Sequence, residues 1–285
     1  RHFSPLATMS SVHRLENRMT ETLDDQLKAA FNFIENGKLR RAKTTLARAV
    51  GWTEIYWNDC TFKLFPADNV SDKHFWSKGT PDELSSILKL ISLAEGQKVT
   101  FWDIGANCGV YSVAISKKCA AGSRTFSFEP NPDMFKRLKK NITANKLSKS
   151  ITAKNIALGA EHGELDLHIY EGNLGRATLR NDDVKAQDRK VSVPVESIES
   201  HIAKGLDGTL KLLKIDVEGY EDRILMPWIN QIETLGDIDY LLIEHTHREH
   251  WQDDVLDALE AKGYLSVFVA DGNTLMAGPK MTASL

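Results

Sequence analysis

The sequence has few cysteines, little net charge and no long apolar run, and each of these features narrows the class of protein. Its three cysteines among 285 residues form no CxxC pair of the kind that binds zinc. Because such a sparse, odd number suits a reducing compartment, we expect a cytoplasmic protein. The net charge of −3 gives no reason to expect a basic stripe for nucleic acid. No segment approaches the roughly 20 apolar residues that a membrane span requires, so we expect no nucleic-acid partner and no membrane span.

From residue 98 onward the sequence alternates regularly between apolar strands and helices. The predicted strands are KVTFWDIG at 98–105, RTFSFEP at 124–130, SITAKNIALG at 150–159, LKLLKIDVEG at 210–219 and IDYLLIEHT at 238–246. Near-continuous apolar strands of this kind lie in a parallel sheet that helices cover on both faces, so we predict an α/β fold. YLSVFVA at 264–270 and NTLMAG at 273–278 predict a hairpin that closes the sheet.

The segments before residue 98 are different in character. LDDQLKAAFNFIENGK at 23–38 has apolar residues at spacings of three and four, which predicts an amphipathic helix that packs or self-associates, with a homo-oligomer as one outcome. WTEIYWNDCTFKLFP at 52–66 is aromatic and β-rich, whereas SDKHFWSKGTPDE at 71–83 is turn-rich, with Pro81 opening a helix. The predicted division is a helical extension over 1–50, an aromatic lead-in over 51–97 and one large domain over 98–285.

Polar residues follow every predicted core strand, with two glycines among those after the first strand. They are Asp103, Gly105, Asn107 and Gly109 after the first strand, Glu129 after the second, Asn155 after the third, Asp216 and Glu218 after the fourth, and Glu244 and His245 after the fifth. Ligands of open parallel sheets bind beyond the carboxyl ends of the strands. Chance explains one or two polar strand ends, but five in succession indicate one shared crevice.

The turn GANCGV at 105–110 argues against a dinucleotide ligand. It lacks two of the three glycines of the GxGxxG fingerprint, and the phosphate-loop lysine motif is absent as well. Asp103 adds a negative charge that would repel a phosphate, unless it serves only as a helix cap. S-adenosylmethionine fits better, because its ammonium can pair with Asp103 and its ribose hydroxyls with Glu129. Its own carboxylate can use the backbone N–H groups at the start of the following helix.

Five motifs resemble the FkbM family of methyltransferases over about residues 98–270: FWDIGANCGVYS, FSFEPNP, NIALG, KIDVEGYE and LLIEHT. The resemblance implies S-adenosylmethionine as methyl donor and O-methylation of sugars, macrolides or other hydroxylated small molecules. It also implies a Rossmann-like class I methyltransferase fold, whose sheet has seven mostly parallel strands and a final antiparallel strand. The residues expected to bind the donor are Asp103, Gly105, Ala106, Asn107, Gly109, Tyr111, Glu129, Pro130, Asn155, Ala157 and Asp216.

A base that removes the proton of an acceptor hydroxyl is expected at the ends of the fourth and fifth strands. We predict Asp216, Glu244 and His245 as catalytic residues, since an imidazole is suited to proton transfer near neutral pH. The same three side chains could hold a divalent metal, but EHTHREH is not an HExxH motif and no metal is expected. A donor-binding module without chemistry and an N-methyltransferase remain alternatives. The segment 170–183 is either a polar hairpin loop or a flap whose Arg176 touches an acidic group or a sugar.

Overall fold

A computed structural model of the chain describes residues 22–33, 40–170, 172–179, 188–202, 208–235 and 237–283. The strands are β1 Thr53–Trp57, β2 Cys60–Leu64, β3 Val99–Ile104, β4 Arg124–Phe128, β5 Ile151–Lys154, β6 Ala157–Gly159, β7 Gly163–Ile169, β8 Ala177–Thr178, β9 Arg189–Ser197, β10 Leu210–Ile215, β11 Tyr240–Glu244, β12 Leu265–Ala270 and β13 Asn273–Ala277. The helices are α1 Leu23–Phe33, α2 Arg40–Val50, α3 Val70–Lys78, α4 Leu84–Ala94, α5 Val110–Lys118, α6 Pro132–Ala144, α7 Glu199–Ile202, α8 Glu221–Asn230, α9 Ile232–Leu235, α10 Val255–Ala261 and α11 Pro279–Thr282. Within these ranges, no helix has both the length and the apolar character that a bilayer crossing requires.

The central sheet confirms the predicted α/β fold. Its seven strands follow the order β12–β13–β11–β10–β3–β4–β5. Five neighbouring strands, β11, β10, β3, β4 and β5, run parallel to one another. Strand β13 runs antiparallel to both of its neighbours, β11 and β12. The predicted closing hairpin is therefore β12–β13, and β13 is the antiparallel strand that the family resemblance implies. Because β10 lies beside β3, the loops after these two strands meet at one edge of the sheet.

Alternate residues of the central strands supply an apolar core on each face of the sheet. Every residue of β3 is buried. Trp102 and Ile104 pack with Trp228 of α8 on one face, and Phe101 packs with residues of α4 and α5 on the other. Successive side chains of a strand point to opposite faces, so Asp103 lies on the same face as Phe101.

A second, four-stranded sheet corrects one predicted strand. The segment 150–159 was expected to form a single strand, but β5 belongs to the central sheet and β6 pairs with β9 in a sheet of order β6–β9–β7–β8. Asn155 lies between the two strands, and its amide group donates hydrogen bonds to the carbonyl oxygens of Glu129 and Pro130 at 2.8 and 2.9 Å. These bonds hold the chain where it leaves the central sheet.

The lead-in segment contains the expected β-hairpin and one unexpected helix. Strands β1 and β2 pair in an antiparallel hairpin, but the stretch predicted to be turn-rich forms helix α3. Asn69 caps this helix by accepting a hydrogen bond from the Asp72 amide, and Gly79 ends it in the left-handed conformation. Phe75 and Trp76 are buried against the hairpin and the core, so tertiary packing outweighs the polar composition of the segment.

Helices α1 and α2 pack on this lead-in segment. The rings of Phe31 and Trp76 meet edge to face with centroids 5.3 Å apart, and Ala47 is buried in the same apolar cluster as Phe62. Residues 1–21 and 34–39 of the predicted extension lie outside the described residues. The predicted division of the chain at residues 50 and 97 stays a prediction.

Candidate functional site

A cavity of about 480 Å³ lies at the carboxyl ends of the central strands. This volume falls within the range of small-molecule sites. Its polar lining consists of Ser71, Asp82, Glu83, Asn107, Glu129, Asn173, Arg176, Asp216, Glu218, Glu244, Thr246, His247 and Asp271. Its apolar lining consists of Ile104, Phe128, Pro130, Ile156, Ala157, Leu158, Leu167, Ala177, Leu179, Val217 and Ile224. The cavity therefore forms where strand-end side chains were predicted to converge.

The turn after β3 packs tightly against the loop after β10. Gly105 has φ +74°, and a Cβ atom there would lie 1.9 Å from the carbonyl oxygen of Asp216. Gly109 has φ +89°, and a Cβ atom would lie 2.5 Å from the Leu138 side chain of α6. Of the two glycines, Gly105 lines the cavity and Gly109 does not. Close backbone packing thus requires Gly105, which also brings the turn to the cavity, whereas Gly109 is favoured by its left-handed backbone conformation.

Asp103 lies beneath this turn and does not line the cavity. It is fully buried, its Oδ2 accepts a hydrogen bond from the Ser112 hydroxyl, and its Oδ1 lies 3.8 Å from Nζ of Lys214. Burial raises the pKa of this carboxyl group above its ordinary value, against the opposing effect of Lys214. The expected direct contact of Asp103 with a donor ammonium is therefore corrected to a supporting position behind the wall.

Glu129 lines the cavity as predicted and is held by the backbone. Its two carboxylate oxygens accept hydrogen bonds from the amides of Asn131 and Asn107, each at 2.8 Å. Burial nevertheless raises the pKa of Glu129 to about 7, because desolvation outweighs these two bonds. Pro130 and Ala157 lie beside it in the apolar part of the wall. Asn155 is not part of the lining; it holds the carbonyl groups behind that wall.

The buried lysine Lys214 connects several of these carboxylates. Its Nζ donates to the carbonyl oxygen of Gly105 at 2.9 Å and lies 3.6 Å from Oδ2 of Asp216. Burial alone would lower the pKa of Lys214, but the carboxylates of Asp216, Asp103, Glu83 and Glu129 hold it above its ordinary value. One buried ammonium thus faces four acidic side chains.

A recess of about 90 Å³ adjoins the cavity on the α5 side and shares Gly105 and Asp216 with it. Ala106, Tyr111 and Glu83 also line this recess. The Tyr111 hydroxyl donates a hydrogen bond to Glu83 at 2.6 Å. Burial raises the pKa of Glu83 to about 7, with a further contribution from Asp216. The sequence does not mark Glu83 or Lys214 as site residues, because Glu83 lies at the start of a predicted helix and Lys214 lies within a predicted strand.

The end of β11 places the predicted base, His245, outside the cavity lining. The backbone N–H of His245 donates to Gly272, continuing the pairing of β11 with β13, and its side chain does not line the cavity. Glu244 does line it, and alternation along the strand then directs His245 to the opposite face. His247 reaches the cavity from the following turn, where its Nε2 lies 3.2 Å from a carboxylate oxygen of Glu218.

Glu244 is 7% exposed, and its Oε2 has no hydrogen-bond partner among the described residues. Burial, and after it the nearby Asp216, raise the pKa of Glu244 to about 8. The predicted acids Asp216 and Glu244 are thus brought together, whereas the predicted His245 is not.

Part of the segment 170–183 forms another wall of the cavity. Gly175 and Arg176 line it, and the Asn173 side chain accepts a hydrogen bond from the Val70 amide at the start of α3. The Leu174 amide donates to the carbonyl oxygen of Asp68 at 2.7 Å. Residues 171 and 180–183 lie outside the described residues. Two hydrogen bonds, one accepted by a side chain and one between backbone groups, therefore tie the described part to the lead-in segment.

The buried Glu129 is expected to make the stability of the chain depend on pH. The folded chain keeps this carboxyl group protonated up to about pH 7, whereas an unfolded glutamate ionises near pH 4.3, at about its reference pKa. Because the folded state binds more protons between these values, the free energy of unfolding falls as pH rises through this window. Urea melts should show this group lowering that free energy by about 1 kcal/mol per pH unit between roughly pH 5 and pH 7.

The Glu129→Gln variant is the matched comparison for this effect. It keeps an oxygen that accepts an amide hydrogen bond but removes the titration. Its unfolding free energy should vary less steeply with pH than that of the native chain. Equal slopes for the two proteins would contradict the raised pKa of Glu129.

Comparison with known proteins gives one family match. Residues 103–266 match the family model described as the methyltransferase FkbM domain. The hexuronic acid methyltransferase AglP of Haloferax volcanii is 24% identical over an alignment of 174 residues, which covers 57% of this chain and 62% of that protein. The chain thus spans less than two thirds of the length of this curated relative.

Two solved structures illustrate the structural similarity. The methyltransferase FkbM of Methylobacillus flagellatus KT has a TM-score of 0.42 and 18% identity, covering 65% of this chain and 44% of that one. TYW2 of P. horikoshii, in complex with MeSAdo, has a TM-score of 0.42 and 13% identity, covering 86% of each chain.

Proposed function

Because this chain belongs to the FkbM methyltransferase family, whose domain model matches residues 103–266, we propose that it transfers a methyl group from S-adenosylmethionine to a hydroxyl group of a sugar, a glycoconjugate or another small molecule. The observation that carries the proposal is the acidic lining of the cavity. Seven acidic side chains line it, whereas its basic side chains among the described residues are Arg176 and His247. A cationic ligand favours the ionised form of these groups, whereas they would repel a phosphate.

The wall offers a suitable partner for each part of the donor. Glu129, fixed by two backbone amides, is a hydrogen-bond acceptor for ribose hydroxyls. Phe128, Ile156 and Leu158 form an apolar surface of the kind that an adenine ring requires. Glu83 and Asp216, which line both the cavity and its recess, are carboxylate partners for the ammonium group. The assignment of the ammonium to Glu83 and Asp216 replaces its assignment to Asp103.

The donor, when bound, supplies a methyl group on a positively charged sulfur. The protein must align the acceptor oxygen with that methyl group, and alignment of this kind supplies up to about 7–11 kcal/mol. His247 is the residue proposed to take up the proton that the acceptor hydroxyl loses as its oxygen gains the methyl group. Glu218, 3.2 Å from Nε2 of His247, would orient the imidazole and stabilise its protonated form.

A sugar is the acceptor class that the wall supports best. Beyond the donor-facing residues, the wall contains Asn173, Thr246 and Arg176, which offer donors and acceptors for hydroxyl groups. Arg176 in addition provides a planar donor for a carboxylate. The relative in Haloferax volcanii is named for a hexuronic acid, which is an acidic sugar, and this agrees with an acceptor that carries both kinds of group.

The proposal is tested by incubating the chain with donor labelled in its methyl group and panels of free sugars, uronic acids and glycoconjugates. We expect labelled product with at least one panel member, in which the label is bound to oxygen. Labelled amine products would instead indicate N-methylation. Donor binding by calorimetry without any product across all panels would favour a module that binds the donor without chemistry.

The Glu129→Ala variant tests the donor site within the same assay. Measured above pH 7, where Glu129 is ionised, loss of its hydrogen bonds to the ribose should weaken donor binding by about 10-fold or more, since a hydrogen bond to a charged group contributes about 1.5–3 kcal/mol. The Glu161→Ala variant is a control, because Glu161 is an exposed turn residue outside the cavity lining. Unchanged donor affinity in Glu129→Ala would remove Glu129 from the donor site.

A further inference from the structure

Three carboxylates from different elements converge beside the cavity, and two of them, Asp216 and Glu244, line it. Asp216 follows β10, Glu221 begins α8 and Glu244 ends β11. One oxygen of each lies within 4.8 Å of the others. We propose that these three side chains form a binding site for a hard divalent cation such as Mg²⁺ or Mn²⁺. Its binding does not depend on the proposed methyl transfer.

The spacing of the three oxygens fits coordination of one ion. Oxygen ligands lie about 2.0–2.6 Å from Mg²⁺ or Ca²⁺, so two ligands of one ion are separated by at most about 5 Å. The donor set contains carboxylate oxygens alone, which hard cations such as Mg²⁺ and Mn²⁺ prefer. The ligand set considered from the sequence is Asp216, Glu244 and His245, for which no metal is expected. In the structure, Glu221 takes the place of His245 in the cluster.

Glu244 provides an observation beyond the acidic cluster itself. Its side chain is more than nine-tenths buried, its carboxylate is one of the three that converge, and its Oε2 lacks any hydrogen-bond partner within the described ranges. An unpaired buried carboxylate oxygen is costly, and such groups are normally paired or coordinate a metal. A cation among the three carboxylates would satisfy this oxygen.

The other two ligands are held in place before any ion binds. Oε1 of Glu221 accepts a hydrogen bond from the Val217 amide at 2.8 Å, and Oε2 accepts one from the Trp251 indole at 2.8 Å. Asp216 is restrained by Lys214, whose Nζ lies 3.6 Å away. Outer contacts of this kind orient ligands and increase metal affinity.

An ion here would lie beside the proposed acceptor position. Glu244, Asp216 and His247 line the same cavity. Coordination of an acceptor hydroxyl would lower its pKa and direct its oxygen. This role rests on the proposed function, whereas occupancy of the site does not.

The test is a titration of the full chain with Mn²⁺, without donor or acceptor, in which free Mn²⁺ is measured by electron paramagnetic resonance. We expect one saturable Mn²⁺ per chain at this site. Glu244→Gln should weaken binding at least about 10-fold, since even loss of an outer contact costs 10–100-fold. This variant removes no hydrogen bond from Oε2 and should fold, which its circular dichroism and thermal melt will verify.

Two further variants locate the ion. Glu249→Gln alters a second group of possible ligands, His247, Glu249 and His250, which is largely exposed, and should leave Mn²⁺ affinity unchanged. Tb³⁺ emission excited through tryptophan should be strong in the native chain and should fall sharply in Trp251→Phe, because the Trp251 indole contacts Glu221. Absence of saturable Mn²⁺ binding to the native chain would overturn the proposal. So would equal affinity in Glu244→Gln, or weakening by Glu249→Gln alone. Each outcome is independent of whether methylated product forms.

Discussion

Replacement of Gly105 with alanine is expected to destabilise the chain by about 3 kcal/mol or more and to abolish donor binding. The residue has φ +74°, and its new Cβ atom would lie 1.9 Å from the carbonyl oxygen of Asp216. That oxygen belongs to the backbone beyond β10, so no side-chain rotation can relieve the contact. The turn after β3 would have to move away from the loop after β10, and the cavity wall would open. Urea denaturation and calorimetry with the donor measure the two effects.

Gly96→Ala is the matched control for the backbone conformation. Gly96 has φ +71°, but nothing in the described part of the chain lies within 4 Å of a Cβ atom placed there. Its replacement should cost only the left-handed strain of about 1–2 kcal/mol and should leave donor binding intact. Equal destabilisation by the two substitutions would show that the close approach of the two loops contributes nothing.

The fold could be predicted from the sequence because its signal is local and repeated. The first central strand is VTFWDI in the structure, and its apolar run is long enough to be recognised without any contact information. Helix α3 could not be predicted in the same way. Its segment is polar and carries two turn-forming residues, and it becomes helical because Phe75 and Trp76 find an apolar surface on the hairpin. The local sequence gives no information about that apolar surface, which forms only when the hairpin folds.

The sequence predicts which loops carry the site residues, but it does not predict which of their side chains face the cavity. Alternation along β3 places Asp103 on the same face as Phe101, beneath helix α5, and alternation along β11 separates Glu244 from His245. Applied at the strand ends, this rule would have corrected both residues. Glu83 is different, since it comes from the lead-in segment and only the folded chain brings it to Tyr111. No pattern in TPDEL indicates that contact.

The acidic character of the cavity follows from how the sheet is assembled. Parallel pairing of β10 with β3 puts Lys214 level with Asp103. The positive charge of Lys214 therefore offsets the negative charge of Asp103 behind the cavity wall. Burial raises the pKa values of Glu83, Glu129 and Glu244 in the lining, because it disfavours their charge. A cationic ligand would restore ionisation of these groups, so ligand binding and proton release should be coupled.

His247→Ala is expected to lower turnover by about 10²–10⁴-fold while donor affinity stays nearly constant. The imidazole lines the cavity and is paired with Glu218 at 3.2 Å, so its removal deletes the proton acceptor without changing Glu129 or Gly105. Single-turnover rates with labelled donor measure the loss, and calorimetry measures donor binding. Added imidazole should restore part of the rate, which a purely structural defect would not allow.

His245→Ala separates the two histidines. Its backbone amide pairs with Gly272 and is kept by the substitution, and its side chain is not part of the cavity lining. We expect turnover within a few-fold of the native value, because a base must lie within hydrogen-bond reach of the proton that it removes, at about 2.6–3.2 Å. If His245→Ala instead lost the larger share of activity and His247→Ala kept it, the base suggested by the sequence would be right. The turn after β11 would then have to rearrange when acceptor binds, since only such a movement could bring His245 to the reacting hydroxyl.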